Sequence, residues 1–323
     1  MKLDFSALKS QKNLLAFSAG IDSSALFFLL LDANIPFDIA LVNYQSRETS
    51  DAEAAYAKEL AKRFHKEVYI LQSSLAEQNI EAHARKIRYD FFESLIEMHG
   101  YTTLITGHQL NDQLEWFLMQ LTKGAGSLEL LGMRKLQKQK NYLLCKPLLE
   151  VTKASLEAYL KEHNHKYFFD QSNDDQSLTR NYFRHNFSDK LLDSYGRGIA
   201  QSFSFLEEDA QQLLEESKIQ IFEELTVITA KSERSLLYLI DKDLKQRGYI
   251  LSYPQREEII KQKSITIGGK FHIEIEDKKA FIVPVIEELT MPKTFKESCR
   301  KAKVPLKIRS YLFSRDIEIS FLL

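Results

Sequence analysis

One short turn constrains this chain more than any other stretch: Ser18-Ala19-Gly20-Ile21-Asp22-Ser23-Ser24. Before it, Asn13-Leu14-Leu15-Ala16-Phe17 reads as a short buried strand. After it, Ala25 to Leu31 reads as a helix buried on most sides. A strand, a small-residue turn and a helix make a ready anion site. Gly20 is expected to let the backbone turn where a Cβ would clash. The turn and the first helical turn then aim N–H groups at a bound phosphate, and Ser18, Ser23 and Ser24 add hydroxyl donors. Asp22 repels phosphate, so it makes sense as a helix cap or as a ligand of Mg²⁺. No Gly-x-x-x-x-Gly-Lys-Ser/Thr occurs, so no lysine reaches a phosphate from such a loop. An ordinary strand-to-helix turn with serine capping would use the same residue types.

The 323 residues suffice for two or three domains. The longest apolar run, Ala25 to Leu31, is too short to span a bilayer, and Met1-Lys2-Leu3-Asp4-Phe5 does not read as a signal peptide. Cys145 and Cys299 stand far apart with no Cys-x-x-Cys, which points to a reducing, cytoplasmic setting and away from a structural zinc or an iron–sulfur cluster. A net charge of −1 excludes a uniformly basic nucleic-acid binder, so RNA contact would need local patches.

Along the chain, Ile39 to Tyr44 reads as a second strand, followed by a polar loop with Arg47. Ser50-Asp51-Ala52-Glu53 opens an Ala-rich helix to about Arg63 with a capping-box pattern. Glu67 to Leu71 is a third strand. This alternation implies a Rossmann-like parallel sheet with helices on both faces, and ligands then sit beyond the strands' C-terminal ends. Glu81 to His99 reads as a long helix with Glu81, Arg85 and Arg88 on one face and Ile87, Phe91 and Leu95 on another. In Thr106-Gly107-His108-Gln109-Leu110-Asn111-Asp112, a histidine and a carboxylate follow a further strand and precede a helix, Leu114 to Leu121. They suit amine binding, proton transfer or Mg²⁺ coordination, or simply a helix start capped by Asn111 or Asp112.

Arg134, Lys135, Lys138, Lys140 and Lys146 form an acid-free basic stretch, either a solvated loop or an RNA-backbone contact. After a polar turn at Asp170 to Asp174, Arg180-Asn181-Tyr182-Phe183-Arg184-His185 suits a polyphosphate or a base, or else packs Tyr182 and Phe183 into a core. From Ile199 long amphipathic helices are expected to about Lys263, including Ser204 to Glu224, then a hairpin over Phe271 to Val283. The tail, Lys293 to Arg309, including Lys301 and Lys303, is strongly basic. The expected organisation is a catalytic domain over 1–198, a smaller, mainly helical domain over 199–288 and a short basic tail over 289–323.

The turn at Ser18 to Ser23 resembles the pyrophosphate loop (PP-loop) Ser-Gly-Gly-x-Asp-Ser, with Ala19 in the place of a usual Gly, a change expected to exclude most positive-φ conformations. Taken with Asn43 and Arg47, the Glu81 to Arg88 helix with Tyr89, His108 to Gln113, Pro147-Leu148-Leu149 and the Arg-Asn-x-x-Arg-His cluster, residues 12–195 resemble the tRNA(Ile)-lysidine synthetases. The resemblance implies use of ATP and Mg²⁺ to join free L-lysine to the wobble cytidine of a CAU-anticodon tRNA(Ile). It implies Ser18, Ala19, Gly20, Ile21, Asp22 and Ser23 for ATP, with Asp22 on the metal. It also implies Asp22, His108, Asp112 and Arg180 in catalysis, and Arg85, Asp112 and Arg180 on lysine or the adenylate. Arg184, Lys138, Lys140, Lys301 and Lys303 are its candidates for tRNA, and a homodimer stays open. Tyr44 replaces the family's usual His, so no base role transfers to it. The rivals are another PP-loop tRNA enzyme, such as a cytidine thiolase, and a non-catalytic nucleotide-dependent tRNA-binding module.

Overall fold

Strict alternation of apolar side chains sets the layers of the first unit. In the computed structural model, which describes residues 3–45, 50–73, 80–169 and 179–319, the chain divides into two compact units, Met1–Glu207 and Glu208–Leu323. The loop carrying Arg47, the turn at 170–174 and the side chain of Glu81 lie outside the described residues. Along the first unit run β1 (Asn13–Ala16), α1 (Ile21–Asp32), β2 (Phe37–Asn43), α2 (Ser50–Arg63), β3 (Val68–Gln72), α3 (Ile80–His99), β4 (Thr103–Ile105), α4 (Leu110–Leu121), α5 (Ser127–Leu131), β5 (Leu136–Lys138), β6 (Leu143–Cys145), α6 (Lys153–Glu162) and α7 (Thr179–Phe183). A π-helical turn, Arg184–Ser188, leads into α8 (Asp189–Leu214), within which the unit boundary falls.

The six strands lie in the order β3-β2-β1-β4-β6-β5, parallel except for β5. Leu15, Ile39, Ile105 and Cys145 join the core on the face covered by α1, α2 and α6. Their neighbours Leu14, Ala40, Leu104 and Leu144 point to the other face, against Phe92, Leu95 and Ile96 of α3. That α3 stripe sits one residue along from the expected Ile87–Phe91–Leu95 face, of which only Leu95 is buried. The order of connection reverses between β1 and β4, so the turns that follow these two strands flank one crevice. The stretch expected to be loop, Arg134 to Lys146, contains β5 and β6 instead, strands too short to show a period in sequence.

The second unit has the expected helices and hairpin, and adds a sheet not expected from sequence. Its strands β7 (Lys218–Phe222), β8 (Leu225–Thr229), β9 (Ser264–Ile267), β10 (Phe271–Glu276) and β11 (Lys279–Pro284) form an antiparallel sheet in the order β7-β8-β11-β10-β9. The expected hairpin is β10–β11. The helix expected to reach Glu224 stops at Leu214, because Ile219 and Ile221 alternate with Lys218 and Gln220 and pair with β8. Helices α9 (Glu233–Gln246) and α10 (Tyr253–Gln262) join one core, with Ile228, Ile273 and Ile282. The basic tail is no free appendage: α11 (Lys293–Lys301) and α12 (Leu306–Ser314) bury Cys299, Ile308, Tyr311 and Leu312 against Leu225, Val227, Phe281 and Val283.

Candidate active site

The turn after β1 is shaped by its own hydroxyls. The Ser18 amide donates to Ser23 Oγ at 3.1 Å, the two hydroxyls lie 3.1 Å apart, and Ser23 Oγ donates to the Gly20 carbonyl at 3.3 Å. Gly20 is the N-cap of α1, and no side chain caps this helix, which leaves the helix start suited to an anion. The roles expected of the two small residues are exchanged. Gly20 has φ −74°, open to any residue, and a Cβ there would meet only Ser18 Oγ at 3.5 Å. Ala19 takes the left-handed conformation, with φ 58°. It is fully buried, and its carbonyl accepts from Phe168 N at 2.9 Å. The conformation costs an L-residue roughly 1–2 kcal/mol, which the surrounding core offsets.

The turn after β4 closes on the first one through Gly107, where a Cβ would stand 3.3 Å from both Asp22 C and Ser23 N. Thr106 Oγ1 holds His108 Nδ1 at 2.9 Å. Helix α4 starts at Leu110, four residues earlier than its apolar run suggested, and its cap is Gln109 rather than Asn111 or Asp112. Gln109 Oε1 accepts from Asn111 N at 2.6 Å, and Asp112 Oδ2 accepts from Gln109 N at 3.0 Å. This reciprocal box locks Asp112 in place.

Asp112 belongs to a four-residue charge cluster. Glu115, one helical turn further on, accepts from Arg180 Nε at 2.8 Å and from Arg184 Nε at 2.6 Å. Asp112 Oδ1 accepts from Arg180 Nη2 and, at 3.5 Å, from Arg184 Nη2. Arg184 is therefore a buried structural cation, and the expectation of an RNA contact is corrected: its side chain is 9% exposed. Arg180 keeps 40% of its side-chain surface and lines the pocket.

That pocket holds about 380 Å³ and gathers Ser18, Gly20, Asp22, Ser23, Arg85, His108, Asp112 and Arg180. Ala19 and Ile21 are buried beside it. Arg88 and Tyr89 of α3 also line it, and the Arg85 guanidinium lies 4.8 Å from the Tyr89 ring centroid. Tyr44 donates its hydroxyl to the Ala84 carbonyl at 2.7 Å, a strut between β2 and α3. Lys138 and Lys140 are exposed on and just past β5. Lys301 and Lys303 are exposed in the second unit.

Burial and the neighbouring Asp112 carboxylate push the Asp22 carboxyl up to about 7, and its Oδ1 is buried with no hydrogen-bond partner among the described residues. A lone buried carboxylate oxygen beside a phosphate-binding turn fits Mg²⁺, which takes one or two protein carboxylates and completes its shell with substrate phosphates and water. Burial pulls His108 down to about 4, against the opposing pull of Asp112. The imidazole is thus neutral at pH 7, a hydrogen-bonding group rather than a proton store. Burial raises Asp112, but the Arg180 guanidinium and the Gln109 amide outweigh it and hold the carboxyl below its usual range.

The PP-loop domain family matches residues 2–191. The tRNA(Ile)-lysidine synthase of Campylobacter jejuni is 43% identical over 98% of this chain and 97% of its own length. The enzyme of that name from Helicobacter pylori is 42% identical over 98% of this chain and 94% of its own. The chain belongs to the tRNA(Ile)-lysidine synthase family. A U34-tRNA thiolase from Methanococcus maripaludis has a similar fold, with a TM-score of 0.52 at 20% identity over 64% of this chain and 75% of that one. In this lysidine synthase family member Cys145 packs in the sheet core, and burial pushes its thiol up to about 11, which is poor footing for sulfur chemistry.

Sequence reasoning passed over two residues of this synthase-family site. Glu115 looks in sequence like any solvated helix acid, and only its i,i+3 spacing from Asp112 hinted at a shared face. Gly107 had a signal, a glycine between a strand and a histidine.

Proposed function

We propose that this chain is an ATP-dependent ligase forming a carbon–nitrogen bond between lysine and C2 of the wobble cytidine of a CAU-anticodon tRNA(Ile), shifting decoding from AUG to AUA. The observation that carries the proposal is the meeting, in one pocket, of an uncapped phosphate turn with Asp112 and Arg180, the two members of the charge cluster that line it, which Glu115 and Arg184 hold in place from behind. The cytosine O2 attacks the α-phosphate of ATP, forming the adenylated base and releasing pyrophosphate. The ε-amine of lysine, having lost a proton, then attacks C2, and AMP leaves with its electron pair on the former O2. Adenylation is needed because a carbonyl oxygen is a poor leaving group.

Ser18, Ser23 and the start of α1 bind the phosphates. Magnesium, when bound at Asp22, supplies charge neutralisation at those phosphates. Asp112, held by its cap and its arginines, lines the pocket as the fixed carboxylate acceptor for the lysine ammonium. His108, neutral and tethered to Thr106, positions rather than shuttles. Arg180, with 40% of its side-chain surface exposed and lining the pocket, presents a cation to an anion there, and Arg85 adds a second. Lys138, Lys140, Lys301 and Lys303 offer exposed charge to the tRNA backbone. A tRNA substrate and ATP imply a cytoplasmic setting.

The test is incorporation of labelled lysine into a CAU-anticodon tRNA(Ile) transcript with ATP and Mg²⁺, against a wobble C-to-U transcript and methionine tRNA. Incorporation confined to the first, with AMP and pyrophosphate released, is expected. Pyrophosphate release without lysine incorporation would overturn the nucleophile, and neither signal from tRNA-binding protein would overturn the enzyme.

A further inference from the structure

Lys146 does not behave as the surface lysine that its basic stretch suggests. It is 5% exposed, and no hydrogen bond or ion pair ties its ammonium to any described residue. A buried ammonium without a partner is costly, so its position needs a reason.

The register supplies one. In the parallel sheet Leu15 pairs with Ile105, and Ile105 with Cys145. The Thr106 amide then donates to the Cys145 carbonyl at 2.9 Å. One residue further along that register, Ala16, Thr106 and Lys146 form a row across the strands' C-terminal edge. Alternation fixes the face. Leu144 packs towards α3 and Cys145 away from it, so Lys146 returns to the α3 side, the side that carries Arg85. Ala16, Thr106 and Arg85 all line the pocket, and Thr106 holds His108. The local charges agree. Burial, then repulsion from Arg85, pull Lys146 down to about 8, and the lysine in turn lowers His108. Lys146, just behind the pocket wall that Thr106 and Arg85 form, thus feels the repulsion of Arg85, and no acid among the described residues forms an ion pair with it.

We infer that Lys146 is an anion-binding positioning residue of this site, acting with Arg85 on an anionic group of a substrate, either the carboxylate of the amino acid or a phosphoryl oxygen of the nucleotide. The inference rests on the proposed ligase reading and adds a residue to it. A bound anion supplies the counter-charge that the fold withholds, so the paired cations are balanced only once substrate is in place.

Lys146→Met keeps the length and drops the charge, and Lys146→Arg restores the charge. Each is made in the full chain and titrated calorimetrically with ATP and, separately, with lysine. Incorporation of lysine into the tRNA is compared with that of cadaverine, which lacks the carboxylate. If the carboxylate is the anion, Lys146→Met weakens lysine binding by about tenfold or more, erases the preference for lysine over cadaverine, and Lys146→Arg recovers most of both. If a phosphoryl oxygen is the anion, ATP binding weakens by a similar factor and the lysine-to-cadaverine preference stays. A purely structural lysine would move neither selectively. Should the methionine variant fail to fold, Lys146→Gln, which keeps a donor without the charge, takes the same measurements. A folded neutral variant that binds both ligands like the parent overturns the inference. A parent that binds ATP and lysine but incorporates no lysine sinks the ligase reading instead, while the two titrations still judge Lys146.

Discussion

Ala19 carries the strain of the phosphate turn, and strain of this kind fixes the tolerance of a position. Glycine there would lose a buried methyl and gain unfolded-state freedom, yet would shed the left-handed penalty, so Ala19→Gly is expected to stay within about 1 kcal/mol of neutral. Ala19→Val puts a β-branched side chain into the same torsion and into a fully packed core. A loss of about 2–4 kcal/mol in urea denaturation is expected; a valine variant as stable as the parent would refute the torsional account. Asp22 makes a pH-dependent prediction. Its folded pKa of about 7 lies above its ordinary 3.8. Between those values the folded chain holds a proton that the unfolded chain has released, so this group's contribution to stability is full below about pH 4 and is lost as pH rises through 7. Binding of Mg²⁺ with ATP must displace that proton. Calorimetry near pH 6.5 in buffers of different ionisation enthalpy should show proton release, absent in Asp22→Asn. Unchanged proton release in the variant would remove Asp22 from the metal.

Elements meet at this site through buried charge. Glu115 takes both arginines of the segment Thr179–Ser188 onto α4, so the cluster fixes the wall that carries Arg180. Removing one member leaves unpaired charge in the interior, and Glu115→Ala is expected to destabilise the first unit by about 3–5 kcal/mol by denaturant unfolding. It should also raise the mobility of Arg180, read as a larger loss in turnover than in ATP affinity. A variant with parental stability would show that the pairs contribute nothing net. How far sequence reached follows from the same elements. Strands β1 to β3 and helices α1 to α3 were legible because long apolar runs alternate with capped amphipathic stretches, and those runs are set by burial on both faces of the sheet. The start of α4 was not, because Leu110 to Gln113 is mostly polar and its helicity is fixed by a reciprocal cap and by Asn111 bonding Asp189 at 2.7 Å and Lys153 N at 3.1 Å. Pairings between residues 78 and 42 apart in the chain leave no local signal. Lys146 was misplaced for a related reason: in sequence it groups with the exposed Lys138 and Lys140, whereas its immediate neighbours Leu144, Cys145, Pro147 and Leu148 are buried and carry it inside with them.

At the scale of the whole molecule, the basic tail has two roles that sequence alone merges into one. Its apolar side completes a core: Cys299, Val304, Ile308, Tyr311 and Leu312 cover the sheet face formed by Leu225, Val227, Phe281 and Val283. Arg309 is also structural, donating twice to the Val304 carbonyl at 2.9 and 2.7 Å. Lys301 and Lys303 are exposed and bury nothing. Deleting residues 290–323 would therefore strip a layer from the second unit, and weaker tRNA binding in that variant would report unfolding as readily as a missing RNA-binding surface. Charge reversal separates the two. Lys301→Glu with Lys303→Glu should leave the melting temperature within a few degrees and ATP affinity unchanged. It should weaken tRNA binding and flatten its dependence on salt, because each phosphate that the protein no longer neutralises takes about one unit off the slope of affinity against salt on logarithmic axes. The same reversal at Lys138 and Lys140 in the first unit gives the matching measurement there. A pair whose reversal leaves both affinity and salt slope unchanged lies off the tRNA path, and four silent lysines would move the search for RNA-binding cations to the arginines of α3, whose Arg85 and Arg88 already line the pocket.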